Sequence, residues 1–281
     1  MVTRVAPSPT GFFHLGTLRT AFLNYLMARA NNGKFILRID DTDQVRNRSE
    51  WIDYIYDQMN EYGLDYDITF RQSERLDRYA EVAHKIGEKT EDGGYDLDMG
   101  EYRMVILRSN GYPTYNFCSI LDDYDYDVTH IIRGVDHIAN EVKQRLIWDK
   151  ICEVEGDKTF PELTHAGLLF EGAKKLSKRS GNGTTEDYKD FSKAAMLNWL
   201  LKFGWSHPDP TFDKKHPTLS MSEMIELFNE GNISKNNCKI DRNKLLFLDK
   251  KWKSMERRGM VKENIITDFD TFKNLINKNP L

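Results

Sequence analysis

The arrangement of residues 1–39 constrains the fold of this 281-residue chain more than any other feature. Residues 2–6 form a short apolar run that predicts a buried strand, and the turn-forming sequence PSPTG follows it. Apolar residues at helical spacing begin near Thr17 and stop at Asn31-Asn32-Gly33, and KFILRI at residues 34–39 predicts a second strand. A strand, a helix and a strand in this order predict a right-handed βαβ unit with parallel strands.

The alternation of helices and strands continues to about residue 185. We predict helices after Ser49 and at about residues 74–87, 140–154, 192–203, 222–228 and 242–258. We predict further strands at residues 102–108, 112–117, 128–133 and 164–170, the first two joined as a hairpin by Asn110-Gly111. The segment 88–101 is rich in Gly, Asp and Glu and is predicted to be a surface loop. Because helical patterns dominate after residue 185, we expect an α/β domain with a parallel sheet at 1–185 and a small helical domain at 186–281.

Composition excludes several classes of protein. The net charge of -4 argues against an extensive nucleic-acid surface, so any such surface would be a local patch. The three cysteines are far apart and have no histidine at ligand spacing, which predicts reduced thiols and no bound metal. No signal peptide and no apolar run long enough to span a bilayer is evident, so we expect a cytoplasmic protein with no membrane partner.

Two segments have the composition of phosphate-binding sites. In APSPTGFFHLGTLR (residues 6–19), a glycine-containing turn between a strand and a helix brings backbone amides and the positive helix end toward an anion. Taken alone, this segment is better explained as a capped turn with a core-facing histidine, but its position after the first strand of a βαβ unit favours a ligand site. In KKLSKRSGNG (residues 174–183), the lysines could meet charge that develops on transferring phosphates. The alternative for this segment is an ordinary solvated basic loop.

A third group of polar residues lies at or just beyond the ends of predicted strands. It comprises Arg4, the DDTD sequence from Asp40, Tyr115, Asp122-Asp123 and RGVDH from Arg133. Two arginines at strand ends could hold a carboxylate in bidentate fashion, and an acidic group could hold an α-ammonium. Each of these residues could instead be part of a salt-bridged scaffold.

Five ordered blocks of this sequence together resemble the catalytic domain of the class I glutamyl-tRNA synthetases. The blocks are VTRVAPSPTGFFHLGTLRTAFLNYLMAR, FILRIDDTD, YRMVILRSNGYPTYNF, HIIRGVDHIANEVKQ and KLSKR. The resemblance covers about residues 1–87 and 102–255. It implies a Rossmann-type catalytic domain followed by a helical stem-contact region. The implied reaction is the attack of the glutamate carboxylate on the α-phosphate of ATP, which gives glutamyl-adenylate and pyrophosphate before transfer to an acceptor hydroxyl.

The resemblance also implies roles for individual residues. His14, Gly16 and Thr17 correspond to the HIGH-type signature under ATP, and Lys175 and Lys178 correspond to the KMSKS loop. Asp136 and Leu169 fall near the expected ribose and adenine contacts. The glutamate-pocket positions are Arg4, Ala6, Ser8, Asp40, Tyr115, Ser119 and Arg133. Mg²⁺ would accompany ATP, and the logic of the reaction needs neither a protein metal site nor a covalent enzyme intermediate.

Three departures from the family pattern affect the expected substrates. Asp40 stands where the family usually has Glu, and Ser119 replaces an Asn, so either change could retune amino-acid selectivity. Between His84 and Leu107 the family normally inserts a sizeable acceptor-end-binding domain, and here only the acidic segment 88–101 remains. The sequence given also ends near residue 281 without the family's anticodon-binding domain, so we expect any tRNA contacts to be limited.

Several functions therefore stay open at the level of sequence. The first is a monomeric synthetase-like ligase that charges a tRNA through limited contacts. The second is an enzyme similar to the shortened paralogues that glutamylate queuosine in tRNA(Asp), although those usually keep the insert. The third is formation of glutamyl-adenylate for an acceptor that is not tRNA. The fourth is a non-catalytic binding module, against which the joint presence of His14, Gly16, Lys175 and Lys178 argues.

Overall fold

The computed structural model describes residues 1–98, 100, 102–176, 183–228 and 232–258. The strands are β1 (Val2–Val5), β2 (Lys34–Ile39), β3 (Ile68–Arg71), β4 (Glu88–Lys89), β5 (Tyr95–Asp98), β6 (Arg103–Leu107), β7 (His130–Gly134), β8 (Glu162–Ala166), β9 (Leu169–Glu171), β10 (Lys174–Lys175), β11 (Trp205–Ser206), β12 (Asn232–Ile233) and β13 (Cys238–Lys239). The helices are α1 (Leu15–Ala30), α2 (Ser49–Glu61), α3 (Leu76–Ile86), α4 (Tyr115–Asp125), α5 (Glu141–Glu155), α6 (Lys193–Leu201), α7 (Phe212–Lys215), α8 (Met221–Phe228) and α9 (Arg242–Arg257).

The central element is a five-stranded sheet in the order β3-β2-β1-β7-β8, in which every pair of neighbours is parallel. The predicted βαβ unit is confirmed: β1 pairs with β2 in the register Arg4 to Ile36, and α1 connects them. The α/β class and the parallel sheet are therefore as the sequence predicts. Since all five strands run the same way, their carboxyl ends meet at one edge of the sheet, which is where ligands bind in open α/β folds.

The prediction of a surface loop at residues 88–101 is wrong for residues 88–89 and 95–98, which form strands. β4 and β5 pair antiparallel, and β5 pairs in turn with β6, so the segment forms part of a three-stranded sheet. A turn at Gly93, whose φ of 93° favours glycine, joins the first two strands. β5 forms because Leu97 is buried: its side chain is only 1% exposed and packs in one apolar cluster with Tyr79 and Ile106. A single apolar residue among acidic neighbours was too weak a signal to predict a strand.

The predicted hairpin is also wrong in its second strand. Asn110-Gly111 does form a tight turn, in which the Arg108 amide donates to the Tyr112 carbonyl at 2.9 Å. Only one bridge, between Leu107 and Pro113, follows before α4 begins. Proline has no N–H to donate to a strand ladder, and Phe117, Leu121 and Tyr124 bury one face at helical spacing.

The apolar core continues across residue 185. α1 packs on α6 and α8 in a cluster that includes Leu18, Phe22, Trp199 and Leu200. Arg19 of α1 is buried, and it donates to the Phe203 carbonyl at 3.0 Å and to the Gly167 carbonyl. Burial lowers the pKa of Arg19 to about 10. The division into two domains at residue 185 stays a prediction. Within the described residues, no helix is both long and apolar enough to cross a membrane.

Replacing Leu97 by alanine should destabilise the protein by about 2–4 kcal/mol, because a fully buried leucine side chain leaves a cavity under the sheet of β4, β5 and β6. The free energy of unfolding in urea measures this change. Val105→Ala is the matched control, since Val105 lies on β6 of the same sheet but is 45% exposed, and we expect a change within about 0.5 kcal/mol. Equal losses in the two variants would contradict the packing of β5 described above.

Candidate active site

A cleft of about 490 Å³ opens at the carboxyl edge of the central sheet, between the ends of β1, β2 and β7 and the first turn of α1. Most of the predicted site residues line it: Arg4, Ala6, Ser8, His14, Gly16, Thr17, Asp40, Tyr115, Arg133, Asp136, Leu169 and Lys175. These residues are scattered between positions 4 and 175 of the sequence, and the parallel sheet brings them together. Ser119 lies behind the wall of the cleft, and Lys178 lies outside the described residues.

The N-terminus of α1 forms one end of the cleft. His14 is the N-cap residue, and its Nδ1 accepts a hydrogen bond from the Gly16 amide at 2.9 Å. A Cβ at position 16 would come within 3.1 Å of this Nδ1, so glycine lets the imidazole fold back over the helix end. The following α1 has sixteen residues, and its positive end faces the cleft. This end of the cleft is suited to a phosphate group.

A lysine and an aspartate of separate elements also line the cleft. Lys175 of β10 reaches Asp136 with an Nζ to Oδ2 distance of 3.0 Å, and both side chains are 44% exposed. Burial alone would raise the pKa of Asp136, but the ammonium of Lys175 lowers it below its ordinary value. Leu169, which is buried, supplies an apolar floor beside them. The ion pair is exposed enough to open and exchange partners when an anion arrives.

Arg4 and Asp40 are held in one buried network of charges. Asp123 pairs with Arg4 in bidentate fashion, at 3.0 Å to Nε and 2.9 Å to Nη2. Arg38 pairs with Asp40 at 2.6 and 3.2 Å and also reaches Asp123 at 3.1 Å. Burial opposes the charge of Arg38, but the carboxylates of Asp40, Asp123 and Asp122 raise its pKa. Arg38 is therefore the hub that joins the two cleft residues, and the sequence prediction missed it although an arginine inside a buried strand was visible in KFILRI.

Ser119 supports this hub and does not face the cleft. It is completely buried on α4, where its Oγ accepts from Arg38 Nη2 and its carbonyl accepts from Arg38 Nη1, both at 3.0 Å. The assignment of Ser119 to the glutamate pocket stays a prediction, and the geometry gives it a contact with Arg38.

Arg133, at the end of β7, is held differently from Arg4. Its Nη1 donates to Gln144 Oε1 at 2.6 Å, and its Nε donates to His165 Nε2 at 3.3 Å. Its Nη2 is buried and finds no hydrogen-bond partner among the described residues. Gln144 and His165 lie 11 and 32 residues away in the chain, and nothing in the sequence distinguished them from ordinary helix and strand residues.

Tyr115 and His137 close the cleft near the two arginines. The Tyr115 hydroxyl lies 3.1 Å from His137 Nδ1. Burial lowers the pKa of His137, and the positive charges of Arg133 and Arg4 lower it further although Asp136 opposes them. His137 is thus a neutral group at neutral pH. No set of three or more His, Cys, Asp or Glu side chains arranged for a metal ion occurs in the part of the chain that the structure describes.

The fold and the cleft together define a class of protein. A parallel α/β sheet whose cleft is lined by a helix N-terminus, a lysine and the guanidinium groups of Arg4 and Arg133 is typical of Rossmann-type domains that bind anionic ligands.

Comparison with known proteins identifies the family. The model of the family described as tRNA synthetases class I (E and Q), catalytic domain, matches residues 1–92 and 94–247. The glutamate–tRNA ligase 2 of Neorickettsia sennetsu is 37% identical over 309 aligned positions, which cover 97% of this chain and 73% of that protein. The chain belongs to this class I synthetase family and is a ligase. Since the alignment is longer than the chain, the relative carries residues inside the matched span that this chain lacks.

Two solved structures share the fold. The glutamate-tRNA synthetase from Elizabethkingia anophelis superposes with a TM-score of 0.74 at 23% identity, covering 99% of this chain and 74% of that one. A glutamate tRNA ligase from Elizabethkingia meningosepticum, solved in complex with its amino acid, gives a TM-score of 0.73 at 23% identity and covers 100% of this chain and 74% of that one. At this level of identity the similarity establishes the fold alone.

Proposed function

We propose that this ligase joins the carboxylate of glutamate to the α-phosphate of ATP, releases pyrophosphate, and passes the glutamyl group to an acceptor hydroxyl. The observation that supports this most is the buried guanidinium of Arg133, whose Nη2 has no partner in the described structure, in the same cleft as the N-terminus of α1. One end of the cleft offers a donor to a carboxylate, and the other offers amides to a phosphate.

The nucleotide would lie along α1 and β10. The helix N-terminus capped by His14, with Gly16 and Thr17 on the cleft wall, would receive the phosphates. Lys175, and by resemblance Lys178, would meet the charge that develops on the leaving pyrophosphate. Asp136 and Leu169 would contact the ribose and the adenine. Mg²⁺ would arrive with the ATP phosphates, as this ion commonly keeps several waters and few protein ligands.

Glutamate would bind between the two arginines. Arg133 would take one carboxylate, and Arg4, held by Asp123, would contribute to the other end of the anionic substrate. Asp40 lines the cleft and would receive the α-ammonium on the lone pairs that Arg38 leaves free. Ala6, Ser8 and Tyr115 would complete the pocket. Catalysis would then rest on orientation and charge stabilisation, with the substrate carboxylate itself as the nucleophile.

The acceptor that we propose is a tRNA, bound through limited contacts. Exposed cations on α9, among them Lys244, Lys250 and Arg257, support an RNA-facing surface on the helical side of the chain. A second candidate, an acceptor other than tRNA, is supported by the three-stranded sheet at β4–β6. Asp98 is exposed on that sheet, as is Glu88, which pairs with Arg103, and exposed carboxylates repel the phosphates of an RNA.

ATP–pyrophosphate exchange tests this proposal. We expect exchange that depends on glutamate and is much weaker with glutamine or aspartate, measured with and without total tRNA. Exchange in the absence of tRNA would direct the search to the acceptor, whereas exchange only in its presence would favour a tRNA-dependent synthetase. No exchange with any of the three amino acids under either condition would overturn the proposal and leave a non-catalytic binding module.

A further inference from the structure

Arg4 and Arg133, two of the arginines that line the cleft, differ in the charges that surround them. Arg4 faces Asp123 in a bidentate ion pair, so its positive charge is compensated inside the protein. Arg133 makes no ion pair with any carboxylate in the described part of the chain, and both of its observed partners are uncharged acceptors. Burial lowers the pKa of Arg133 and the charge of Arg4 lowers it further, although arginine stays protonated near neutral pH. Arg133 is therefore a buried cation without an ion-paired carboxylate in the described structure, although Asp123 and Glu141 partly offset its charge from a longer distance.

The chemistry of the guanidinium fixes how its two partners are oriented. A guanidinium only donates hydrogen bonds, so Gln144 must present its amide oxygen, and His165 must present an unprotonated Nε2. The Gln144 side chain is completely buried, so packing restricts its position, and its Nε2 has no hydrogen-bond partner among the described residues. Burial lowers the pKa of His165, and the adjacent Arg133 lowers it further, so that the neutral form persists at neutral pH.

Resting on the function proposed above, we infer that Gln144 and His165 are positioning residues that determine amino-acid selectivity. They hold Arg133 rigidly in the cleft without neutralising it. The site therefore favours a substrate whose side chain ends in an anionic carboxylate over the corresponding uncharged amide. A carboxylate at position 144 or 165 would accept the same hydrogen bond equally well. It would also neutralise the guanidinium of Arg133, whose charge the substrate carboxylate would otherwise neutralise.

Gln144→Glu tests this inference because it changes the charge with almost no change in shape. Beside Arg133 the new carboxyl group is expected to ionise. Calorimetry with glutamate and with glutamine, in the presence of a non-hydrolysable ATP analogue, should show glutamate binding weakened by about tenfold or more, with glutamine binding unchanged or improved. The ratio of the two affinities should therefore fall by at least about tenfold. Pyrophosphate exchange with the same two amino acids should follow the same ratio.

Gln144→Leu is the matched control. It removes the same hydrogen bond but adds no charge, so glutamate and glutamine should both bind more weakly while their ratio stays within about threefold of the unmodified protein. If Gln144→Glu and Gln144→Leu changed the ratio equally, Gln144 would have only a structural role and the inference would be overturned. The protein could bind glutamate, and the two variants could change the glutamate-to-glutamine affinity ratio as expected, while no exchange is catalysed. The proposed function would then fail and the inference would stand. Absence of any glutamate binding would overturn the inference as well.

The contribution of His165 is tested by pH. Protonation of Nε2 would remove the acceptor of the Arg133 Nε–H and release the guanidinium from its fixed position. Glutamate affinity should therefore decline as the pH falls through the pKa of His165, which burial and Arg133 hold below its ordinary value. The charges that act on His165 are Arg133 of β7, Glu141 of α5 and Lys235. His137 titrates in the same cleft, so the readout is the difference between the unmodified protein and His165→Asn, whose amide oxygen still accepts. A decline of equal size in both proteins would exclude His165 as the cause.

Discussion

Replacing Arg133 by methionine should lower kcat/KM for glutamate in the exchange reaction by roughly 100- to 1,000-fold, whereas ATP binding should be unchanged. Methionine retains much of the length and apolar contact of the side chain, but it removes a buried guanidinium donor of the cleft that has no hydrogen-bond partner among the described residues. The substrate carboxylate would then be desolvated without a countercharge. The measurement is initial-rate exchange across a range of glutamate concentrations, with ATP affinity determined separately.

Arg145→Met is the matched control for this substitution. Arg145 lies on α5 next to Gln144, but its side chain is 51% exposed and pairs with Glu141 at the surface, so we expect kcat/KM to stay within about twofold. An unchanged kcat/KM for glutamate in Arg133→Met would mean that the substrate carboxylate binds elsewhere. A parallel loss of ATP affinity would mean that the substitution disturbs the whole cleft and would contradict a specific role in amino-acid binding.

Replacing Asp123 by alanine should destabilise the protein by about 3–5 kcal/mol, the largest effect on stability that we expect from a single charged residue. Asp123 is completely buried and pairs with both Arg4 and Arg38, and its removal leaves two buried guanidinium groups with fewer counterions. The free energy of unfolding in urea at pH 7 measures the loss. Because Arg38 also holds Asp40, the variant should bind glutamate poorly even at temperatures where it remains folded.

Asp213→Ala provides the comparison for Asp123→Ala. Asp213 pairs with Lys202 at 2.6 Å, but its side chain is 57% exposed, so its loss should cost less than about 1 kcal/mol. If Asp123→Ala were no more destabilising than Asp213→Ala, the arginines would have found other partners or water. The network centred on Arg38 would then not be what fixes Arg4 and Asp40.

The βαβ unit of the parallel sheet could be predicted because β2 is a nearly continuous apolar run at the position that such a unit requires, whereas the sequence did not predict β3, ITFR, which is only partly buried. β2 is buried from its second residue to its last, and the apolar residues of its sequence KFILRI are typical of a strand that is covered on both faces. The errors lie where local signals compete with tertiary packing. β5 has one buried apolar residue, Leu97, in an acidic segment, and α4 follows a genuine Asn-Gly turn that looked like the centre of a hairpin.

The cleft could be predicted as a set of strand ends, but its internal connections could not. His14, Asp40 and Arg133 follow or end strands of the sheet, so the parallel topology brings them to one edge. Arg38, Gln144 and His165 act through contacts with these residues, and such contacts depend on the register of strands and the rotation of helices. Gln144, for example, reaches Arg133 only because the face of α5 that carries Gln144 packs against the end of β7.

The most direct test of the account is to trap the acyl-adenylate itself. The protein is incubated with glutamate, ATP labelled at the α-phosphate and pyrophosphatase, the reaction is quenched in acid, and labelled glutamyl-adenylate is separated from AMP. The account predicts a labelled adenylate that requires glutamate, does not form with glutamine, and is lost in Arg133→Met. Absence of the adenylate with glutamate, both with and without total tRNA, would contradict the central claim that this cleft activates glutamate.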